Sequence, residues 1–283
     1  MPLGSAAQNG NPACDGDIES TAGAPWINAS KFSIPIYSAA STDPSVPIYV
    51  GGTQWSSAKT PATAQPSNDT DHHLSLIDPT HRYSVDLEVA DRTLWPAKMT
   101  AWTVGEFDLY GDGITPLSGA GYTSSGRAYG GSAIAGLMRT GELQAGSIQH
   151  ALALAIETSL MQRGPVWPAS SEDAPSISST YGGHVPMGTL VALPPSVDVN
   201  ALGLTSVGLE IAHALQTYGA YVVDTADAFT LYADPGADSL VAPARAANDL
   251  GKLRPYLRCV SNNGPNSVGG GGTPVAPLAP PLG

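Results

Sequence analysis

Short runs in which hydrophobic and polar residues alternate recur along most of the chain. They include "KFSIPIYSA", "VPIYVGG" and "TAWTVGEFDLYGDG", each bounded by Pro, Ser or Gly residues. Runs of this length and period are typical of β-strands, and turn-forming residues mark their ends. The pattern therefore predicts a chain built mainly from short strands.

Two later stretches extend this prediction. In "SIQHALALAI" the larger side chains fall at every second position from Ile148 through His150 to Ile156, which favours a strand over a helix. "AYVVDT" and "AFTLYADP" together predict a late pair of strands.

Helical patterns are fewer. "TSVGLEIAHALQTYG" predicts a helix over about 205–217, with Thr205 or Ser206 as N-cap and Gly219 just beyond the end. A shorter helix is predicted near 132–139. Many short strands with one or two helical insertions predict a mainly β fold, a β-sandwich or jelly roll.

The stretch "DHHLSLIDPTHRYSVDLEVAD" predicts an amphipathic β-hairpin. We expect strands at 72–77 and 82–90 joined by a loop at 78–81, so that residue 75 pairs with 84 and residue 73 with 86. One face then carries Leu74, Leu76, Tyr83, Val85, Leu87 and Val89, and the other carries Asp71, His73, Ser75, Ser84, Asp86 and Glu88.

The polar face of this hairpin is the first candidate site. It brings Asp71, Asp86 and Glu88 close to His73, and crowded carboxylates raise one another's pKa values, as acid–base sites require. The alternative is an ordinary solvent-facing surface, since antiparallel sheets often have one wet face.

The two ends of the chain differ from its body. Residues 1–25 are small and polar without periodicity, which predicts a flexible lead. Residues 261–283 contain four consecutive glycines followed by Pro, Ala and Leu, a composition typical of linkers. We therefore expect one β-rich domain at 26–260, with a tail that leads to a further module.

Composition narrows the possible partners. The 283 residues include 24 Asp plus Glu and 12 Lys plus Arg, so the formal net charge is −12. This charge argues against nucleic acid and anionic membrane surfaces as partners. No segment has the roughly 20 apolar residues that span a bilayer. Few lysines and many small residues favour a secreted protein, which we expect to be a monomer.

Cys14 and Cys259 are the two cysteines, and they are too far apart for a CxxC motif. In an exported protein they predict one disulfide, which would stabilise the fold by about 4–5 kcal/mol in the chain-entropy model. The alternative is two buried free thiols.

Several other residues are candidates outside the hairpin. His150 lies mid-chain among apolar residues, and Asp224 ends an apolar strand. Asp108 and Asp112 lie in "FDLYGDG", where a turn is a simpler interpretation than a calcium loop, so no metal or other cofactor is predicted. Candidates for contact with a sugar substrate are Arg127, Tyr129, Trp102, Trp167 and Asp224; the alternative for the aromatic residues is packing in the core.

A resemblance adds to this picture. The phrases "DHHLSLIDP", "LMRTGELQAGSIQHALALAI", "VPMGT" and "ALQTYGAYVVDTADAFTLY", in this order, resemble a broad family of exported bacterial and fungal proteins. The resemblance implies secretion and one compact strand-rich domain, often beside carbohydrate-related modules. It implies no particular reaction. The polar positions that match are Asp71, His73, Glu88, Asp108, Glu142, His150 and Asp224.

These features predict an extracellular enzyme that cleaves a polysaccharide, most simply a glycoside hydrolase with paired carboxylates. Glu88 is the expected general acid and Asp86, Asp108 or Asp71 its partner, while His73 and His150 would orient the sugar. A polysaccharide lyase is an alternative, although it needs a basic patch that this acidic chain lacks. A non-catalytic carbohydrate-binding or adhesion module is the other.

Overall fold

The computed structural model describes residues 1–20, 23–111, 114 and 126–278. In these residues the helices are α1 (Pro12–Glu19), α2 (Thr140–Ala145), α3 (Pro175–Ser178), α4 (Ser206–Thr217), α5 (Asp238–Ala246) and α6 (Asp249–Leu253). No helix in this part of the chain is both long enough and apolar enough to cross a membrane.

The strands of the first half are β1 (Trp26–Asn28), β2 (Ile36–Ser38), β3 (Ser45–Val50), β4 (Thr53–Lys59), β5 (Leu74–Ile77), β6 (Tyr83–Glu88), β7 (Met99–Ala101) and β8 (Thr103–Asp108). Those of the second half are β9 (Leu152–Ile156), β10 (Met161–Gln162), β11 (Val185–Pro186), β12 (Leu190–Ala192), β13 (Ala220–Thr225), β14 (Thr230–Tyr232) and β15 (Arg258–Cys259).

These strands form several sheets with both parallel and antiparallel neighbours. The largest has the order β1-β14-β9-β13-β12-β15, and smaller sheets have the orders β2-β5-β6-β8, β4-β3-β7 and β10-β11. The strand-rich fold predicted from the sequence is confirmed, whereas the sandwich or jelly-roll arrangement is not. Helices are more numerous than the one or two predicted, because short helices such as α3 leave little periodicity in a sequence.

The predicted helix at 205–217 is confirmed as α4. Its N-cap is Thr205, whose side chain accepts a hydrogen bond from the backbone of Gly208. The helix predicted at 132–139 is wrong. Gly136 has a φ of +78° there, and the backbone of Ala153 lies so close that a Cβ would not fit, so the chain turns instead of forming a helix.

The late strand pair is present, but its two members are not neighbours. Strand β9 lies between them, parallel to β13 and antiparallel to β14. All five residues of β9 are buried, as expected for a central strand covered on both faces. His150 precedes β9 rather than lying in it.

The amphipathic hairpin is present with its faces as predicted. Strands β5 and β6 are antiparallel, with Ser75 opposite Asp86 and Leu76 opposite Val85. The predicted register was wrong by two residues. The backbone N–H of Asp78 donates to the Tyr83 carbonyl at 2.9 Å, so the loop occupies residues 79–82.

Both faces of the hairpin are buried. Its apolar face packs against the three-stranded sheet around Ile48, Leu76, Leu87 and Met99. Its polar face is covered by residues 126–134, which we call the connecting segment. The segment is held to β6 by Ser132 and Ala133, which both donate to Asp86, and to β13 by a bond from the Tyr129 N–H to the Val223 carbonyl.

Both ends of the chain pack against the body. Cys14 in α1 forms a disulfide with Cys259 in β15, which confirms the predicted pairing. Leu3 is buried, and Gly4 forms a β-bridge with Pro274. The described residues of the predicted lead and tail therefore contact each other.

Candidate active site

We define the acidic cluster as four carboxylates, Asp71, Glu88, Asp173 and Asp224, because the charges of Asp71 and Asp173 act on Glu88, and those of Asp173 and Glu88 act on Asp224. Burial raises the pKa of Glu88, and the negative charges of Asp71 and Asp173 raise it further. Burial also raises the pKa of Asp224, to about 7; the charge of Arg127 opposes this rise, while Asp173 and Glu88 add to it. Asp224 therefore holds its proton to a higher pH than an exposed aspartate does.

The end of the hairpin places Asp71 beside Glu88. The backbone N–H of Val89 donates to the Asp71 carbonyl at 2.7 Å. Thr103 in β8 donates its hydroxyl to the Glu88 carboxylate at 3.0 Å. His72 and Val89 both have positive φ, 43° and 49°. For Val89, which is β-branched, a positive φ is an outlier. Residues with such strained backbones concentrate at functional sites.

Asp224 comes from the other sheet. It lies near the end of β13, directly after an irregularity in the pairing with β9 between Val222 and Asp224. Its side chain keeps 25% of its surface exposed, so a bound molecule can reach it. Its Oδ2 atom lies 3.7 Å from Nη1 of Arg127.

Arg127 is a buried cation at the centre of this region. Its Nε donates to the Ala133 carbonyl at 3.1 Å, and its guanidinium stacks 3.9 Å from the ring centroid of Tyr232. Among the ion pairs of the described residues, only the Arg127–Asp224 pair includes a member of the acidic cluster. Four carboxylates thus share one close positive charge.

Asp173 is the member that sequence reasoning missed. Its carboxylate accepts hydrogen bonds from the Tyr181 hydroxyl at 2.5 Å and from the Thr225 hydroxyl at 3.1 Å. Burial and the Asp173 charge together raise the pKa of Tyr181, so its hydroxyl keeps its proton. Asp173 lies in the loop sequence "SSEDAPS", where no periodicity or motif marks it.

Two predicted residues lie behind the cluster. Asp86 is fully buried and accepts hydrogen bonds from Ser75 at 2.6 Å and Ser132 at 2.7 Å. His73 is also buried, and burial together with the nearby Arg127 charge lowers its pKa to about 4. Asp86 holds the hairpin to the connecting segment through Ser132 and Ala133, whereas the backbone N–H of His73 donates to Ser67 at 2.9 Å.

Trp102 is an exposed aromatic residue whose backbone pairs with that of Glu88. Its backbone N–H donates to the Glu88 carbonyl at 2.9 Å, while 75% of the residue is exposed. A flat ring presented to solvent is a surface on which a sugar ring can stack.

The remaining predicted residues line a separate cavity of about 770 Å³: Asp108, Tyr129, His150 and Trp167. Asp108 forms an ion pair with Arg82 at 2.8 Å, which lowers its pKa. His150 Nε2 lies 3.1 Å from a Glu142 oxygen. The structure therefore divides the predicted site between two regions.

Metal binding finds no support in the described ranges. There, no three His, Cys, Asp or Glu side chains are arranged to hold a metal ion. Asp112 lies outside the described residues.

Comparisons with known proteins add no further constraint. No model of a known protein family matches the chain, and no curated protein or solved structure matches it. The resemblance to exported proteins therefore stays a prediction, and the function has to be argued from the site itself.

Proposed function

We propose that the protein is a secreted glycoside hydrolase that cleaves a polysaccharide at the acidic cluster. The observation that carries this proposal is the shared, mostly buried environment of Asp71, Glu88, Asp173 and Asp224, in which the pKa of Asp224 is raised to about 7. Glycoside hydrolysis requires a protonated carboxyl beside an ionised one, and environments that separate the pKa values of neighbouring acids supply this pair.

The pKa values assign the roles within the cluster. Asp224 donates its proton to the glycosidic oxygen as the bond to the leaving sugar breaks. Glu88 is the partner carboxylate in this proposal, acting on water or directly on the sugar carbon. The sequence pattern favoured Glu88 as the acid, but a pKa of about 7 makes Asp224 the better proton donor at neutral pH.

Two further features support this proposal. Trp102, whose backbone N–H donates to the Glu88 carbonyl, is exposed, and its ring would provide a stacking surface for a sugar. The disulfide between Cys14 and Cys259 supports secretion, because disulfides persist in oxidising compartments.

The test is release of reducing ends from a panel of plant, fungal and bacterial glycans. We expect Asp224→Asn and Glu88→Gln each to lower turnover by about 100-fold or more on a glycan that the wild type cleaves. The matched controls are Asp238→Asn and Glu19→Gln, which remove carboxylates from exposed ion pairs with Arg245 and Arg258. Full activity in Asp224→Asn would refute its role as proton donor.

A carbohydrate-binding module is the second candidate, and the exposure of Trp102 favours it. If no glycan yields product, affinity gels test whether the protein binds a glycan without cleaving it. Retention on one glycan that is lost in Trp102→Ala but kept in Glu88→Gln would identify a binding module instead of an enzyme.

A further inference from the structure

Arg127 is too deeply buried to contact a substrate directly. The sequence predicts this residue as a sugar contact, but only 1% of its side-chain surface is exposed. The side chain of Asp224, with which it pairs, keeps 25% of its surface exposed. A sugar at the acidic cluster can therefore touch Asp224, whereas the charge of Arg127 acts on the reaction through Asp224.

Two contacts fix the Arg127 guanidinium without the help of Asp224. Its Nε donates to the carbonyl of Ala133 in the connecting segment at 3.1 Å. Its central carbon lies 3.9 Å from the ring centroid of Tyr232, a buried residue of β14. Because neither contact involves the Asp224 carboxylate, the position of the cation does not depend on whether Asp224 holds a proton.

The two carboxyl oxygens of Asp224 have different surroundings. Oδ1 accepts the backbone N–H of Thr225 at 2.9 Å. Oδ2 lies 3.7 Å from Nη1 of Arg127, a distance that allows an ion pair but is too long for a hydrogen bond. Among the described residues, none donates a hydrogen bond to Oδ2. This oxygen is therefore free to carry the proton, and Arg127 acts on it by charge alone.

The other titratable groups around Asp224 do not share this effect of Arg127. The charges of Asp173 and Glu88 favour the protonated form of Asp224, as burial does. Tyr232 is neutral, because burial and the Asp224 charge raise the pKa of its hydroxyl. Among these neighbours, Arg127 is the charge that favours the ionised form of Asp224.

We propose that Arg127 is a positioning residue for the acid of this site: fixed beside Oδ2 of Asp224, it stabilises the carboxylate that forms when this oxygen gives its proton to the substrate. This inference rests on the proposed function. The glycosidic oxygen keeps the electron pair of the bond that breaks and takes the proton, Glu88 acts on the sugar carbon directly or through water, and the negative charge appears at Oδ2. Because the Arg127 charge is already in place, no group has to reorganise as the acid ionises.

An NMR titration of Asp224 tests this inference without a substrate. The carboxyl-carbon signal of Asp224, identified by its loss in Asp224→Asn, reports the protonation of this group in the full-length protein. We expect the midpoint to rise by about one pH unit or more in Arg127→Gln, because an opposite charge this close favours the ionised form. Arg127→Lys, which keeps the charge, should titrate between wild type and Arg127→Gln. Equal midpoints in wild type and Arg127→Gln would overturn the proposal.

Arg245 provides a matched control with the same three kinds of contact. Its Nε donates to the Ile27 carbonyl at 2.9 Å, its guanidinium lies over the Trp26 ring, and it pairs with Asp238. Arg245→Gln should leave the titration of Asp224 unchanged. A shift in this control as large as that in the test variant would trace the effect to a general loosening of the fold and refute the assignment.

A second variant covers the case in which Arg127→Gln does not fold. Arg127→Met removes the charge but keeps an unbranched side chain that can pack on the Tyr232 ring. It should raise the Asp224 midpoint by the same amount, and an unchanged midpoint would again contradict the proposal.

Kinetics on a glycan that the wild type cleaves separate this inference from the proposed function. In Arg127→Gln the alkaline limb of kcat/KM should move to higher pH together with the Asp224 midpoint. The kcat should fall by about tenfold or more while KM stays near that of wild type, because Arg127 acts on the proton transfer and does not touch the substrate. A higher KM with an unchanged kcat would assign Arg127 to substrate binding and refute the inference.

The two proposals fail in different ways. If no glycan is cleaved but the Asp224 midpoint moves, the proposed function fails and the control of Asp224 by Arg127 stands. If a glycan is cleaved and neither the midpoint nor the pH profile moves, this inference fails and the proposed function stands.

Discussion

The carboxylates of the acidic cluster and those at the cavity differ in how they are paired with positive charges. In the acidic cluster, four carboxylates share the single close charge of Arg127, and burial raises the pKa values of Asp71, Glu88 and Asp224. At the cavity, Asp108 and Glu142 each have a partner of their own, and both pKa values are lowered.

This difference shows how a charged partner changes the pKa of a carboxyl group. Where burial outweighs pairing, a carboxyl group holds its proton to a higher pH than an exposed one, as Asp224 does with a pKa of about 7. Where pairing outweighs burial, the group stays ionised and fixes its neighbour in place. Carboxylates that belong to one sequence pattern therefore ionise differently in the acidic cluster and at the cavity.

The largest expected effect concerns Asp224. Its pKa is 3.8 as a free side chain and about 7 in the folded protein, so the folded state binds more protons between these two values. Stability should therefore fall as pH rises from about 4 to 7 and level off above that. Relative to Asp224→Asn, the wild type should lose up to about 4 kcal/mol of unfolding free energy over this interval.

Urea unfolding of both proteins between pH 4 and 8 measures this difference. Asp238→Asn is the control, because Arg245 lowers the pKa of Asp238 and no such loss is expected. A constant difference between wild type and Asp224→Asn across the interval would contradict the raised pKa.

The next effect concerns the boundary between the two regions. Asp86 holds Ser132, which lines the cavity, on the hairpin that carries Glu88. Asp86→Ala should lower the free energy of unfolding by about 3 kcal/mol, because Ser75, Ser132 and the Ala133 N–H lose a buried acceptor. Chemical denaturation measures the change, and the exposed Asp238→Ala should cost much less. A loss no larger than that of the control would show that Asp86 does not hold the segment.

The smallest effect has the opposite pH dependence to that of Asp224. The pKa of Glu142 lies below its usual 4.5, so its ionised form stabilises the fold above that pH, and this stabilisation is lost as pH falls through the folded-state value. Glu142→Gln should therefore cost about 1 kcal/mol at pH 7. The difference from wild type should shrink in acid, as thermal unfolding at pH 7 and pH 3.5 would show. A difference that grows in acid would contradict the pairing with His150.

Local patterns predicted several elements because their causes are local. The faces of the hairpin follow from strict alternation, and α4 follows from a capped apolar period that ends before Gly219. The register did not follow, because the Asp78 carboxylate accepts the N–H groups of Thr80, Arg82 and Tyr83 and moves the loop by one residue. The pairing of Cys14 with Cys259 was predictable because the described chain offers no other partner.

The candidate site was predicted only in part. Glu88, Asp71 and Asp224 carried a signal as polar residues on or after apolar strands. Asp173 and Tyr181 carried none, since they lie in a loop region that reaches the cluster only through the fold. The position of β9 between β13 and β14 likewise depends on contacts between residues far apart in the chain.

The sequence by itself determined the strand-rich character of this protein, the polarity of each hairpin face, the helix α4 and the acidic balance, because alternation, capping and charge act over a few residues. The tertiary structure alone decided that the polar face of the hairpin is buried beneath the connecting segment and that Asp224 and Asp173 join Glu88. Burial and charge pairing set the pKa values, and both depend on which distant residues the fold brings together.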